Sequence, residues 1–185
     1  MTRRRVPGRI LHGVIDEEVA RIQGYLRSQA AKLTIPQLVN KLRADAWPLR
    51  DVVSAVPPGR FRERPAAGEW SAAEVWTHVL DMSEHGVEAV LAIIAGKQPR
   101  QVTDRISGRE RAHLRGPGDY WREFQRGREQ FYAEVVGARG DEHLDVALVH
   151  PTFGPLNWRE WMLFMRVHDL DHLRQLQAIA DQFGT

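Results

Sequence analysis

Apolar residues in this chain recur at three- and four-residue steps and almost never alternate. Ile35, Leu38, Leu42, Leu49, Val52 and Val56 form one such series, and Val75, Trp76, Val79, Leu80, Val87, Val90, Leu91 and Ile94 form another. That period puts the apolar side chains on one face of a helix, whereas a half-buried strand needs a period of two. The pattern therefore predicts a chain that buries helix against helix. Leu144–Val149 is the one β-branched stretch, and it is too isolated to predict a sheet.

Local punctuation divides the chain into five predicted helices. The first spans about Asp16 to Lys32, with Asp16 as cap and Glu17 and Glu18 at the positive end of its dipole. Its apolar stripe (Val19, Ile22, Leu26) is thin, so it reads as an appendage packed on something larger. The second spans about Pro36 to Val56, capped by Thr34, with Pro36 in the tolerant first turn. Pro48 falls inside it and predicts a kink or a break. The third opens at Ser71, where Ser71 and Glu74 have capping-box spacing, and stops near Gly96. The fourth spans about Asp119 to Val136, ending at Gly137 and Gly140. The fifth starts from Asn157, with Glu160 three residues on, and runs to about Gln182. The expected architecture is all-α: a four-helix bundle over 34–185, preceded by an extension, 1–33, that contributes one additional N-terminal helix.

Composition narrows the function classes. There is no Cys, which excludes disulfides, a thiolate nucleophile and thiolate metal ligands. No apolar run approaches the roughly 20 residues of a membrane span. The start, Met-Thr-Arg-Arg-Arg, is not followed by the apolar stretch of a secretory signal, so a cytoplasmic location is expected. The 26 basic and 24 acidic residues nearly cancel, and the arginines are interleaved with acids, as in Arg60–Arg64. Nucleic-acid binding needs basic residues clustered on one face, so no nucleic-acid partner is expected.

The chemistry sits in the histidines. His168 and His172 are four apart, hence one turn apart on one face, and fall on the stripe of Trp161, Met165, Leu176 and Ile179. Two inward imidazoles suit a divalent metal, which takes histidine nitrogen at about 2.0–2.1 Å. A pair of buried His bonding locally is the alternative. A metal needs a third ligand from another helix, and the spacing leaves His78 and His85 equally eligible. Both lie off the centre of their helix's stripe. Asp169 and Asp171 flank the pair and are expected to face solvent. Asp81 and Glu84 lie near His78, either as an acid/base pair or as a solvated face. His150 lies in the loop before the last helix, and Gln175 stands three after His172, in reach of a ligand imidazole. The six Trp read as core.

Two segments carry a resemblance. Gly68-Glu-Trp-Ser-Ala-Ala-Glu-Val-Trp-Thr-His78-Val-Leu-Asp81 resembles the start of the second bundle helix in the DinB/YfiT-like superfamily. His150-Pro-Thr-Phe-Gly-Pro-Leu-Asn-Trp-Arg-Glu-Trp161 and His168-Asp-Leu-Asp-His172-Leu-Arg-Gln175 resemble that family's final loop and helix. The likeness covers about 34–182. It implies a four-helix bundle with a three-His site for a divalent ion, falling on His78, His168 and His172. It implies nickel or zinc, or else manganese or iron, with positions left open. It also implies a homodimer, and a small-molecule substrate handled by a transferase, an isomerase or a hydrolase. Some relatives are thiol-dependent. With no Cys in the chain, such a thiol has to be a low-molecular-weight cosubstrate; the Arg-rich loops 60–64 and 100–115 are candidates to hold its carboxylates but read first as solvated loops. A non-catalytic metal- or ligand-binding bundle, or a purely structural one, is the competing reading.

Overall fold

The computed structural model describes residues 16–100, 111 and 113–184. Five helices carry the fold: α1 (Asp16–Lys32), α2 (Ile35–Ala55), α3 (Ala72–Ile94), α4 (Pro117–Val135) and α5 (Trp158–Phe183). The predicted caps form. Thr34 Oγ1 accepts from the Gln37 amide, and Gln37 Oε1 accepts from the Thr34 amide. Ser71 pairs with Glu74 and Asn157 with Glu160 in the same reciprocal way. Each box satisfies amides that a helix start leaves without a partner. At α4 the carboxylate of Asp119 accepts from the amides of Arg115 and Gly116, so the helix opens at Pro117, two residues before the expected start.

α2 and α3 lie across a diagonal, each packed against both α4 and α5. α1 lies along α5. Its stripe is used inside the chain: Leu26 and Ala30 are buried, with Val19 and Ile22 packed beside them. Arg159 fastens its end, donating to the carbonyls of Ala30, Leu33 and Gly140.

Two expectations are corrected. α2 continues through Pro48, so the break, one of its two expected effects, does not occur. The ring faces solvent, while Ala46, Leu49 and Val53 hold the following turn in the core, so burial outweighs the lost hydrogen bond. The stretch before α5 does form a small sheet. β1 (Leu148–His150) pairs antiparallel with β2 (Gly154–Leu156), with Leu148 opposite Leu156 and His150 opposite Gly154. Gly154 has φ +66°, the left-handed value that the return of the chain requires there.

The apolar core is in two parts. One holds Leu38, Leu42, Val90, Ile93, Phe131, Val135, Trp158 and Met162; the other holds Leu49, Val53, Phe61, Trp76, Val79, Phe124, Leu176 and Ile179. Buried polar side chains lie between them: His78, Asp81, Ser83, Arg128, His168, Asp169 and His172. Of the six Trp, four are buried, Trp70 is half-buried and Trp47 is exposed.

Candidate metal centre

The capping box at Ser71 starts α3 so that His78, two turns in, faces α5. The box at Asn157 does the same for α5, and the four-residue step brings His168 and His172 onto one face. His168 Nε2 lies 3.0 Å from His78 Nε2 and 3.1 Å from His172 Nε2. The three ligand atoms all stand within 4.8 Å of one another, and all three residues are buried. His78 is therefore not at the edge of a stripe as its spacing suggests; the first three turns of α3 are buried almost all round.

Protons explain what such a cluster lacks. Gln175 Oε1 lies 2.9 Å from His172 Nδ1, so that nitrogen carries the hydrogen and Nε2 presents its lone pair inward. Burial holds His78 down to about pKa 4, with Asp81 pulling weakly the other way. Burial also holds His168 well below the ordinary value, aided by His172, His78 and Arg128. Neutral rings have one N–H each, and with the His172 proton on Nδ1 no placement of the other two gives both short N···N contacts a hydrogen bond of their own. Two nitrogens each about 2.0–2.1 Å from one ion stand roughly 3.0–3.4 Å apart, the spacing found here. The donor set thus fits a divalent cation: three neutral imidazoles and no opposing charge in the cluster.

The other predicted residues fall as follows. His85 lies outside the trio, and its Nδ1 donates to the Asp81 carbonyl at 2.7 Å. His150 is buried in β1, also outside the trio. Its Nδ1 accepts from the amides of Thr152 and Phe153, and its ring packs on Phe153 and Phe164, so it holds the hairpin turn. Asp81 is not on a solvated face. It is buried and accepts from Arg111 at 2.7 Å, while Arg111 also donates to exposed Glu84. Asp169 is buried too, against the solvent expectation: both its oxygens accept from Arg128 Nη2, at 3.1 and 2.9 Å. Burial pushes its carboxyl up to about pKa 6, with Arg128 pulling it back. Asp171 stays half-buried. Of the Arg-rich loops, 60–64 is tied down locally, Arg60 to Glu63 and Arg64 to Glu74. Positions 101–110 and 112 of the other loop lie outside the described residues.

Sequence reasoning missed Arg111, Ser83 and Arg128. Arg128 carried one signal: it interrupts the stripe of Tyr120, Trp121, Phe124, Phe131 and Val135, so a charge had to enter the core.

No helix among the described residues is long and apolar enough to cross a membrane. An uncharacterized protein of Bacillus subtilis (strain 168), YuaE, is 27% identical over 160 residues, covering 78% of this chain and 96% of that protein. No solved structure matches the chain at a significant level. The sequence model of the DinB superfamily matches residues 41–176, from α2 through all three clustered histidines to Leu176 in α5. The chain belongs to the DinB superfamily.

Proposed function

We propose that this protein is a divalent-metal-dependent enzyme acting on a small molecule, with His78, His168 and His172 as the metal ligands. The observation that carries the reading is the convergence of three buried Nε2 atoms at 3.0 and 3.1 Å in rings that burial keeps neutral. When bound, nickel or zinc supplies Lewis acidity and lowers the pKa of a coordinated water or thiol, the starting point of hydrolysis and of thiol transfer alike. The chain's own contribution is positional. α5 fixes two ligands one turn apart, α3 brings the third across the bundle, and Gln175 holds His172 in the tautomer that presents Nε2. The two apolar clusters of the core flank the site along α3 and α5. With no Cys in the chain, S-transfer draws its thiol from a small cosubstrate.

Metal titration tests this. Purified protein stripped with chelator is expected to bind one equivalent of Ni²⁺ or Zn²⁺. A screen of thiol conjugation and ester or amide hydrolysis, run with and without that ion, then assigns the reaction class. Failure to take up a stoichiometric amount of nickel, zinc, manganese or iron overturns the proposal and leaves a structural bundle. Stoichiometric uptake with no turnover in either screen favours a binding protein.

A further inference from the structure

Arg128 lies on α4, which contributes no histidine to the trio, yet its side chain bonds to both helices that do. Its Nε donates to Ser83 Oγ on α3 at 2.7 Å. Its Nη2 donates to both carboxylate oxygens of Asp169 on α5. Ser83 stands five residues after His78, and Asp169 is the residue after His168. The guanidinium and the carboxylate are each at least 95% buried, so water competes for neither arm.

From this juxtaposition we infer that Arg128 is a positioning residue for the metal centre, a clasp that sets the spacing and rotation of α3 and α5. The inference rests on the metal-site reading above. Its physical basis is the planar fork of arginine, which fixes direction as well as distance. Asp169 is about 100° further around α5 than His168. Anchoring its carboxylate on α4 therefore turns His168 and His172 toward α3. Ser83 anchors α3 to the same guanidinium, so the two ligand-bearing helices are referenced to one rigid group. One α3–α5 contact is by nature adaptable: Met165 lies against the backbone of Gly86, and a thioether chain adapts to many spacings. A buried ion pair does little for stability compared with apolar groups of the same volume, so the clasp's effect is expected in geometry.

That contrast supplies the test. In Arg128→Met/Asp169→Leu both charges are replaced by apolar groups, which preserves or raises thermal stability. Zn²⁺ affinity is measured by competition with a chromophoric chelator. The wild type is expected to bind one Zn²⁺, and the double variant to keep its melting temperature yet bind about tenfold more weakly, the scale on which groups behind metal ligands act. Ser83→Ala removes only the uncharged arm and keeps the test valid if the double variant fails to fold; a several-fold loss of affinity is expected. Folded variants that bind Zn²⁺ as tightly as the wild type overturn the clasp while leaving the metal site standing. A wild type that binds no Zn²⁺ overturns both.

Discussion

Two buried polar clusters adjoin at His168 and Asp169, and neighbouring residues of α5 serve opposite chemistries. On the α4 side, Arg128, Ser83 and Asp169 bring a cation, a hydroxyl and a carboxylate together, so donors meet acceptors and charge meets charge. On the α3 side, His78, His168 and His172 bring three nitrogens of one kind together, in rings that burial keeps uncharged. In the first cluster the cation already has its counter-charge and a hydroxyl acceptor within the chain. The second is arranged around a centre that a cation would complete. The difference separates a group that holds the bundle's geometry from one that is held for use. It predicts that substitutions in the two clusters will register in different measurements.

The largest effect is expected on metal binding. His168→Ala or His172→Ala should abolish stoichiometric uptake of nickel or zinc, measured by titration, while the circular dichroism spectrum stays helical. The two apolar clusters, which contain none of the three rings, carry the folding energy. His85→Ala should leave affinity nearly unchanged, because His85 points at a backbone carbonyl. Retained uptake in His78→Ala together with lost uptake in His85→Ala would break the assignment of the third ligand.

On the other side of the comparison, Arg128→Met alone should lower unfolding free energy by about 3–5 kcal/mol, the usual cost of leaving one buried charge without its partner. Urea denaturation of the metal-free protein checks it. His168→Leu in the same metal-free protein should cost far less, since an apolar side chain replaces a desolvated ring. Equal losses for the two variants would erase the distinction between a structural pair and a ligand set.

Acid sharpens the contrast further. Unfolded histidine titrates near 6.5, whereas His78 in the fold is held at about 4. Between those values the unfolded chain takes up a proton that the fold refuses, so stability falls as pH drops through this window. The difference amounts to about 3 kcal/mol for His78 alone, and His168 acts in the same direction. Asp169 opposes it. Its carboxyl is raised from 3.8 to about 6, so the fold gains a proton there that the unfolded chain does not. Asp171, raised by burial, opposes it as well, and the two imidazoles set the net direction, a loss on acidification. Denaturation midpoints of the metal-free protein at pH 7 and pH 5 measure it, and a flat profile would show that the trio is not held neutral by burial.

These clusters were unequally legible in the sequence. His168 and His172 declared themselves because their partner information is local: four residues on one helix face. The caps at Ser71 and Asn157 were legible for the same reason. His78 against His85 was not decidable from spacing, since the choice depends on how α3 rotates against α5. Asp169 looked solvent-facing because its partner, Arg128, is 41 residues away and is one of many arginines. Asp81 was misread likewise, through Arg111 in a connection without helical pattern. The hairpin escaped notice because Gly154-Pro155-Leu156 carries turn residues where its strand lies. Pro48 pointed to a kink or a break by its own propensity, and packing of Leu49 and Val53 overrode the break.

The smallest predicted effect concerns Gln175, where the two clusters' logics meet: one hydrogen bond acts on a ligand without touching the ion. Its Oε1 accepts from His172 Nδ1 at 2.9 Å, which fixes the tautomer and the ring plane together. Gln175→Leu keeps the size but removes the acceptor, so His172 is free to carry its proton on Nε2 and must give up that arrangement to bind metal. The expected cost is about tenfold in nickel or zinc affinity, typical of a lost partner behind a metal-bound imidazole. Gln175→Glu keeps an acceptor at the same reach and adds negative charge, which raises the basicity of the ring. It should match or exceed wild-type affinity. The order Glu at least equal to Gln, and both above Leu, is what tautomer control requires. A packing role would instead rank Leu with Gln and place the charged Glu lowest.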